Sequence, residues 1–247
     1  MISKSQVKYI QSLNEKKFRK EVGMFVAEGP KIIKELLAAD SIETVALYAT
    51  EDWWQAHANL HTILPSAKCY EVSEKELERV SLFMTPSYVL GIFKQPSFEA
   101  EIPFTHNLSL LLDGIQDPGN MGTIIRIADW FGIKQIVASL DCVDIFNPKV
   151  VQSTMGSIAR VKFTYYDLIE LIANQDTVPV YASTLYGKPL NIIGKIKEGL
   201  LLVGNESKGI SEELVRLATQ QVTIPKFGQA ESLNAAIATG IILSYIV

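Results

Sequence analysis

Side chains suited to chemistry lie in three separated segments of this sequence, each at a transition from a strand-like run to a helix-like run. The first, "LLDGIQDPGNMGTIIRIADWFGI" at 111–133, has Asn120 after a turn and Arg126 within an apolar stretch. The others are "LLLVGNESKGIS" at 200–211 and "IPKFGQAESLNAAIATGIIL" at 224–243. Each combines polar or charged groups with glycine, which lets a backbone approach a ligand closely.

Arg126 is the unusual residue of the first segment, because it interrupts an otherwise apolar helical pattern at 120–131. Asn120 is predicted to cap this helix. Gly122 lies four residues before the arginine on the same helix face. Its missing side chain leaves room beside the guanidinium for an anionic or oxyanionic partner. An ion pair with Asp129, three residues later, explains the arginine equally well.

The second and third segments place polar groups beside apolar runs. Gly204, Asn205 and Glu206 follow an apolar strand, although glycine and asparagine are also the ordinary residues of a strand-to-helix turn. In the third segment, Ser232 and Asn234 open a helix over 232–246 that is apolar nearly all round. Such a helix is expected to be buried in a core or a subunit interface.

Strands and helices alternate along the second half of the chain, which predicts an α/β fold with a mostly parallel sheet. The predicted strands are 108–113, 135–139, 178–183, 200–204 and 221–225. The predicted helices are 120–131, 147–157, 166–174, 211–218 and 232–246. Ligands bind at the carboxyl ends of the strands in such sheets, and the three segments fall there.

The first half is predicted to form a smaller α/β domain. Its predicted strands are 24–28, 43–49, 68–72 and 87–93, and its predicted helices are 30–40, 51–60 and 74–83. Two prolines and no clear period between residues 94 and 106 indicate a linker. The expected division is therefore a first domain over 1–96, a linker over 97–106 and a second domain over 107–247.

Composition narrows the class of protein. Hydrophobic residues make up 48% of the 247 residues, and the two cysteines do not form a CxxC pair, which predicts no disulfide and a reducing compartment. Three scattered histidines argue against a metal site. The apolar run at 235–247 is too short to cross a bilayer, so a soluble, cytoplasmic protein with no membrane partner is expected.

The net charge of −4 argues mildly against nucleic acid, but residues 1–20 contain six basic side chains and one acidic side chain. The basic residues are Lys4, Lys8, Lys16, Lys17, Arg19 and Lys20. A local excess of this kind favours a phosphate backbone as partner. A solvated amphipathic helix is the alternative interpretation.

Together the three segments resemble the SpoU family of RNA ribose methyltransferases, within the SPOUT superfamily. The first family motif is similar to "DPGNMGTIIRIAD", with its asparagine at Asn120 and its arginine at Arg126. The second is similar to "VGNESKGIS", with its acidic residue at Glu206. The third is similar to "IPKFGQAESLNAAIA", with Ser232 and Asn234. These five residues are the catalytic set that the resemblance implies.

The resemblance also implies a fold, a cofactor and an assembly. It implies a SPOUT-type catalytic domain with a trefoil knot and a mostly parallel sheet, preceded by a small α/β substrate-binding domain that "FVAEGPKIIKELL" at 25–37 resembles. Two subunits would pair through the knot. The knot would bind S-adenosylmethionine, and no metal is implied. The implied cofactor-binding residues are Thr184, Gly204, Asn205, Ile224, Pro225, Ser232, Leu233 and Asn234.

The implied reaction is methylation of a ribose 2′-hydroxyl, with Arg126 stabilising the developing oxyanion. The separate leading domain favours 23S ribosomal RNA over transfer RNA as substrate. A catalytically silent RNA-binding relative is the other alternative, and missing GxGxxG and P-loop patterns argue against a different nucleotide-binding enzyme. Departures from the family pattern, "TPSYVLG" at 85–91 and Ser207 where glycine is frequent, bear on substrate choice.

Overall fold

The structure is a computed structural model, and its chain divides into two compact units. It describes residues 2–58, 60, 64, 69–96 and 103–247. The first unit comprises Met1–Ser97 and Asp144–Ala159, and the second comprises Phe98–Val143 and Arg160–Val247. The first unit thus includes a segment, 144–159, from within the second half of the sequence. The predicted domain boundaries stay a prediction, and most of the predicted linker, 97–102, lies outside the described residues.

The α-helices are α1 (Lys4–Ser12), α2 (Lys16–Val22), α3 (Pro30–Leu37), α4 (Glu51–Ala56), α5 (Glu74–Val80), α6 (Pro118–Trp130), α7 (Pro148–Thr154), α8 (Leu168–Ala173), α9 (Glu212–Leu217) and α10 (Ala235–Ile246). The strands are β1 (Met24–Glu28), β2 (Thr44–Ala49), β3 (Cys69–Glu71), β4 (Val89–Lys94), β5 (Leu108–Asp113), β6 (Gln135–Ala138), β7 (Lys162–Tyr165), β8 (Val180–Pro189), β9 (Gly199–Gly204) and β10 (Gln220–Thr223). Short 3₁₀ turns lie at Ser157–Ala159 and Leu190–Ile192.

The first unit is built on a four-stranded mixed sheet in the order β1-β4-β2-β3. Strand β4 pairs antiparallel with β1 and β2, whereas β2 and β3 are parallel. Helix α3 begins at Pro30, whose fixed φ suits the first helical position. Ser73 caps α5 as predicted, and the Glu76 side chain completes a capping box. The small α/β domain expected for the first half is therefore present, with helices that end earlier than predicted.

The basic amino-terminal segment folds as α1 and α2, and its charge is not all on the surface. Arg19 is only 1% exposed. Its Nε donates to Asp144 Oδ2 at 3.0 Å, and its Nη1 donates to the carbonyls of Leu13 and Asn14 at 2.9 and 2.7 Å. The inclusion of Arg19 among the side chains available to a phosphate backbone was therefore wrong, because its donors are bound to Asp144, Leu13 and Asn14 within the first unit. The five lysines of the segment are exposed.

The segment 144–159 completes the core of the first unit. Helix α7 packs against β1, and the rings of Phe146 and Phe25 lie 5.1 Å apart between centroids. Ser41 Oγ donates to the carbonyl of Ala159 at 2.9 Å. Both ends of the segment are thus fastened to the first unit, by Asp144 through Arg19 and by Ala159 through Ser41.

The second unit contains a six-stranded sheet in the order β10-β8-β9-β5-β6-β7, and its strand pairs are parallel. This confirms the mostly parallel sheet predicted from the alternating elements. The edge strand β7 was not predicted, because only Phe163 of its four residues is buried and the segment contains no apolar run. The carboxyl ends of all six strands lie along one edge of the sheet.

Strand β8 continues well past the predicted strand 178–183. Its pairing with β10 jumps from Ala182 opposite Gln221 to Lys188 opposite Val222, so the residues between them bulge out. Gly187 passes so close to β10 that a Cβ there would lie 2.5 Å from the Val222 nitrogen. No helix within the described residues is long and apolar enough to cross a membrane.

Candidate active site

Helix α6 begins earlier than predicted, and Asn120 is not its cap. Asp117 occupies the N-cap, and its Oδ1 accepts a hydrogen bond from the Asn120 backbone nitrogen at 2.8 Å. Pro118 follows at the first helical position. The prediction of Asn120 as N-cap was therefore wrong, because Asp117 with a following proline is the stronger start. The Asn120 side chain is left free for tertiary contacts.

Asn120 joins the three sequence segments in one hydrogen-bonded network. Its Nδ2 donates to Oε1 of Glu206, and its Oδ1 accepts from Nδ2 of Asn234 at 2.8 Å. Asn234 in turn caps α10, since its Oδ1 accepts from the backbone nitrogens of Ala236 and Ile237 at 3.0 and 3.2 Å. A residue from each of the three motifs thus meets at the carboxyl edge of the parallel sheet. We call these three residues the asparagine–glutamate network.

The loop that carries Glu206 is held by hydrogen bonds to the end of β5. Asp113 Oδ2 accepts from the Ser211 nitrogen at 2.8 Å, and Asn205 Nδ2 donates to the Gly114 carbonyl at 2.9 Å. Asn205 and Gly209 also exchange two backbone hydrogen bonds, at 3.1 and 2.8 Å. Asn205 therefore shapes the loop, and its predicted contact with a cofactor stays a prediction.

Gly204 is required by this loop itself. A Cβ at Gly204 would lie 2.3 Å from the carbonyl carbon of Gly209 and from the nitrogen of Ile210. The sequence suggested that the glycine lets a ligand approach, whereas the close approach in the chain is that of the returning loop. A larger side chain at Gly204 would displace the loop and Glu206 with it.

Arg126 lies six residues beyond Asn120 on α6, which places it about 9 Å further along the helix axis. Its side chain is exposed and makes no hydrogen bond or ion pair within the part of the chain that the structure describes. Asp129, the alternative partner, binds Arg160 instead, with two guanidinium nitrogens each 2.9 Å from Oδ2. The ion-pair alternative for Arg126 is thereby wrong. Gly122 is buried, so the protein itself fills the space beside it.

Comparisons with known proteins identify the family of this chain. A family model described as the SpoU rRNA methylase family matches residues 107–244, more than half of the chain. The chain belongs to this family. A second model, described as the MRM3-like substrate binding domain, matches residues 4–91. This SpoU-family chain therefore carries its catalytic sequence in the second half and a substrate-binding domain in the first.

Relatives of this SpoU-family chain match nearly its full length. A 23S rRNA (guanosine(2553)-2′-O)-methyltransferase, RlmP, from Bacillus subtilis is 31% identical, over 98% of this chain and 95% of the relative. The crystal structure of an S-adenosylmethionine-bound rRNA methyltransferase from Sinorhizobium meliloti is 33% identical with a TM-score of 0.83, covering 99% of this chain and 95% of that one. A TrmH-family structure from Porphyromonas gingivalis is 35% identical with a TM-score of 0.84, covering 99% and 98%.

Four of the residues predicted to bind the cofactor lie in or directly after three neighbouring strands. Thr184 lies in β8, Gly204 ends β9, and Ile224 and Pro225 follow β10, and these strands are adjacent in the sheet. Ile224 and Pro225 are half-buried, while Ser232 and Leu233 are exposed. Thr184 Oγ1 donates to Gln221 Oε1 at 3.2 Å. Ser232 makes no hydrogen bond within the described residues, so the structure does not bring it into the network.

Two carboxylates that support the site were missed in the sequence. Asp113 holds the loop over 205–211, and Asp117 sets the first turn of α6. The pattern Asp117-Pro118 is a recognisable helix start and could have identified the second. Asp113 gives no such pattern, because its partner is the backbone nitrogen of Ser211, 98 residues away.

The closing helix α10 is not buried on all sides in a single chain. Ile237 and Tyr245 are 56% and 47% exposed, although α10 also packs against α6. Trp130, the last residue of α6, is 85% exposed. The helix was expected to be buried in a core or a subunit interface. One of its faces lies in the core, and another is uncovered in the single chain.

Proposed function

We propose that this protein is an S-adenosylmethionine-dependent methyltransferase that methylates a ribose 2′-hydroxyl in 23S ribosomal RNA. The observation that carries the proposal is the asparagine–glutamate network, in which three separated family motifs converge at the carboxyl edge of a parallel sheet. The relatives named as rRNA 2′-O-methyltransferases support ribosomal RNA as the substrate class.

Arg126 is the residue we assign to the chemistry. A ribose hydroxyl is a poor nucleophile while protonated, and negative charge develops on its oxygen as it attacks. The Arg126 guanidinium is exposed and has no partner in the described residues, so it is available to stabilise that charge. Because a guanidinium is always protonated, it does not accept the proton, which passes to a neighbouring phosphate of the RNA.

The asparagine–glutamate network would position the reacting groups. Glu206 orients the Asn120 amide, and Asn120 orients Asn234, which fixes the start of α10. Ser232, two residues before the cap, is exposed and would reach the substrate or cofactor. Alignment of this kind accounts for a large part of a reaction barrier.

The ends of β8, β9 and β10 are the cradle we assign to the cofactor. Thr184, the Gly204–Asn205 turn, Ile224, Pro225 and Leu233 would hold it. Their mix of half-buried apolar groups and backbone amides suits an adenosine moiety. S-adenosylmethionine supplies an electrophilic methyl group when bound.

The first unit would bind the RNA substrate. The exposed lysines of α1 and α2 support this assignment, because each can neutralise a phosphate. These residues are Lys4, Lys8, Lys16, Lys17 and Lys20. The matching substrate-binding family model covers the same segment.

We further propose that the protein is a cytoplasmic homodimer with the trefoil knot of its family. The support for pairing is the uncovered apolar side of α6 and α10, including Trp130, Ile237 and Tyr245. Exposed apolar residues grouped in this way are typical of an interface between subunits. Sedimentation of the purified protein tests the assembly.

The decisive experiment maps 2′-O-methylated nucleotides in RNA from cells with and without the gene. Loss of a single methylation in 23S ribosomal RNA, restored by the purified protein with S-adenosylmethionine, is the expected result. Loss of a transfer RNA methylation would make the substrate transfer RNA instead. Unchanged methylation, combined with RNA binding, would identify a silent RNA-binding relative.

A further inference from the structure

A loop outside the asparagine–glutamate network exposes an aromatic ring to solvent. Phe227, in the loop between β10 and α10, is 97% exposed. Its neighbours Lys226, Gly228 and Gln229 are exposed as well. A Cβ built at Gly228 meets no atom of the described residues within 4 Å, so the loop is open beside the ring. The ring is therefore presented to solvent and is not a displaced core residue.

Two lysines lie near the carboxyl ends of adjoining strands on this side of the sheet. Lys226 is the residue before the ring, and Lys188, near the end of β8, is paired in register with Val222 of β10. The stretches "STLYGKP" at 183–189 and "TIPKFGQ" at 223–229 contain no aspartate or glutamate, and Glu231 is the one carboxylate in the rest of the loop before Asn234. We call Lys188, Lys226 and Phe227 the aromatic–lysine patch.

The patch lies at the same edge of the sheet as the asparagine–glutamate network. Strand β10 is parallel to β8 and β9, so residues that follow it emerge at the same edge of the sheet as Gly204, which ends β9 two strands away. The loop that carries Phe227 leads directly into Asn234, which binds Asn120. A molecule that contacts Phe227 is therefore brought to the edge where the network lies.

The positive charge of this patch favours RNA over a second copy of the chain as its partner. In a symmetric contact between two copies, the same surface faces itself, so Lys188 and Lys226 would meet lysines with no carboxylate in either stretch to offset them. RNA supplies the complementary charge through its phosphates and a flat apolar surface through its unpaired bases. Aromatic rings with adjoining cations are the usual contact for single-stranded nucleic acid.

We propose that Phe227 stacks on an unpaired base of the RNA, while Lys226 and Lys188 contact its flanking phosphates. The proposal rests on the function proposed above and adds a base-contacting site on the catalytic unit, separate from the lysines of α1 and α2. Duplex RNA hides its base faces, so the contact selects a nucleotide in a loop or bulge.

The test compares full-length variants in binding a short fluorescein-labelled single-stranded RNA of mixed sequence and its base-paired duplex. Phe227→Ala is expected to weaken binding of the single strand by about tenfold, with little change for the duplex. Phe227→Trp, which keeps a stacking surface, is expected to restore affinity. Ile192→Ala is the matched control, because Ile192 is also an exposed apolar side chain of the second unit, 60% exposed.

Lys226→Gln separates the phosphate contact from the stacking contact. It is expected to reduce the slope of log affinity against log salt concentration by about 0.7 for the single strand, whereas Phe227→Ala leaves the slope unchanged. Lys226→Arg retains the charge and is expected to keep the wild-type slope.

Three results would overturn the proposal. Phe227→Ala could bind single-stranded RNA as tightly as wild type. It could lose dimerisation in sedimentation, which would assign the ring to a contact between copies. It could lose affinity for S-adenosylmethionine in calorimetry with RNA binding intact, which would assign the ring to the cofactor. A fourth result separates this proposal from the proposed function. If Phe227→Ala weakens RNA binding but the wild-type protein methylates no RNA, the proposed function fails and the base contact stands.

Discussion

Two arginines in the two units of this molecule show how the same residue type serves opposite purposes. Arg19 is buried, and its guanidinium is consumed by Asp144 and two backbone carbonyls. Arg126 is exposed on α6 and keeps its donors unused within the described residues. A buried, saturated arginine fastens the chain to itself, whereas an exposed arginine with unused donors is available to a substrate. Burial and saturation, more than residue type, separate the two roles.

The carboxylates follow the same division. In the first unit, Glu28 is 3% exposed, and its oxygens accept from Ser81 Oγ and the Leu82 nitrogen, each at 2.7 Å. Burial raises the pKa of Glu28, and these hydrogen bonds offset part of that rise. Glu206, in the second unit, instead connects two sequence motifs through Asn120. Substitution of the buried Arg19 or Glu28 should therefore change stability, whereas substitution of Arg126 or Glu206 should change activity.

The largest expected effect is on the first unit. Arg19→Ala leaves the Asp144 carboxylate largely buried and uncompensated, so the free energy of unfolding should fall by about 3 kcal/mol. Denaturant titration measures this change. Lys20→Ala, at the exposed next residue, is the control and should stay within about 0.5 kcal/mol of wild type. Replacing Arg19 and Asp144 together with apolar residues should recover much of the loss. Wild-type stability in Arg19→Ala would remove the contrast between the two arginines.

The next effect is on catalysis by the second unit. Arg126→Ala should lower single-turnover methyl transfer by about 10² or more, as happens when an oxyanion donor is removed. Its melting temperature should not change, because the exposed side chain makes no hydrogen bond or ion pair in the described part of the chain. Arg126→Lys should rescue little, since lysine lacks the planar fork of donors. Lys134→Ala, at an exposed residue just after α6, is the control for loss of a nearby positive charge. A stable Arg126→Ala protein with normal turnover would refute the assignment.

A smaller effect separates the two tasks of Asn234, which caps α10 and binds Asn120. Asn234→Ala loses both contacts and should lower stability by about 1 kcal/mol together with activity. Asn234→Asp keeps an acceptor for the cap but loses the donor to Asn120. It should therefore melt like wild type while transferring methyl about tenfold more slowly, a loss of about 1.4 kcal/mol. If the two variants lost activity only in proportion to stability, the network would have no role beyond capping.

The smallest expected effect is on the pH dependence of the free energy of unfolding of the first unit. Because burial raises the folded-state pKa of Glu28, folding is favoured most below the unfolded value of about 4.5 and is weakened as pH rises through the folded pKa. Glu28→Gln should lose this downward slope in unfolding free energy. Glu76 is the control of opposite sign, because hydrogen bonds from the Ser73 and Ile2 nitrogens lower its pKa. In wild type, Glu76 contributes to the free energy of unfolding above pH 4.5, and this contribution is lost as the pH falls. Glu76→Gln should therefore be less stable than wild type above pH 4.5, and the difference should disappear at lower pH.

Much of the fold could be predicted, because most strands of the second unit are apolar runs in the sequence. Strand β5 was predicted at its observed bounds, since all but its last residue are buried. Strand β7 was missed because an edge strand needs no continuous apolar run. The extension of β8 past residue 183 could not be predicted either, since it depends on a tertiary pairing with β10 across the bulge.

The residues of the site were predicted better than their contacts. Sequence patterns selected Asn120, Glu206 and Asn234, which the structure joins, because motifs record residue types in order. They could not predict that Arg19 is consumed by Asp144, 125 residues away, since no local pattern connects the two. Nor could they predict that Gly204 serves its own loop, because a glycine required by the chain and one required by a ligand look alike in sequence.

The inclusion of residues 144–159 in the first unit also bears on how the protein is made. The chain leaves the ribosome from its amino end, so β1 emerges before α7, the helix that packs against it. At about 5–20 residues per second, synthesis of the roughly 60 residues from 98 to 159 takes on the order of 3–12 s. During that interval the face of β1 that carries Phe25 lacks its cover. The first unit therefore completes its core only after the start of the catalytic sheet has already been synthesised.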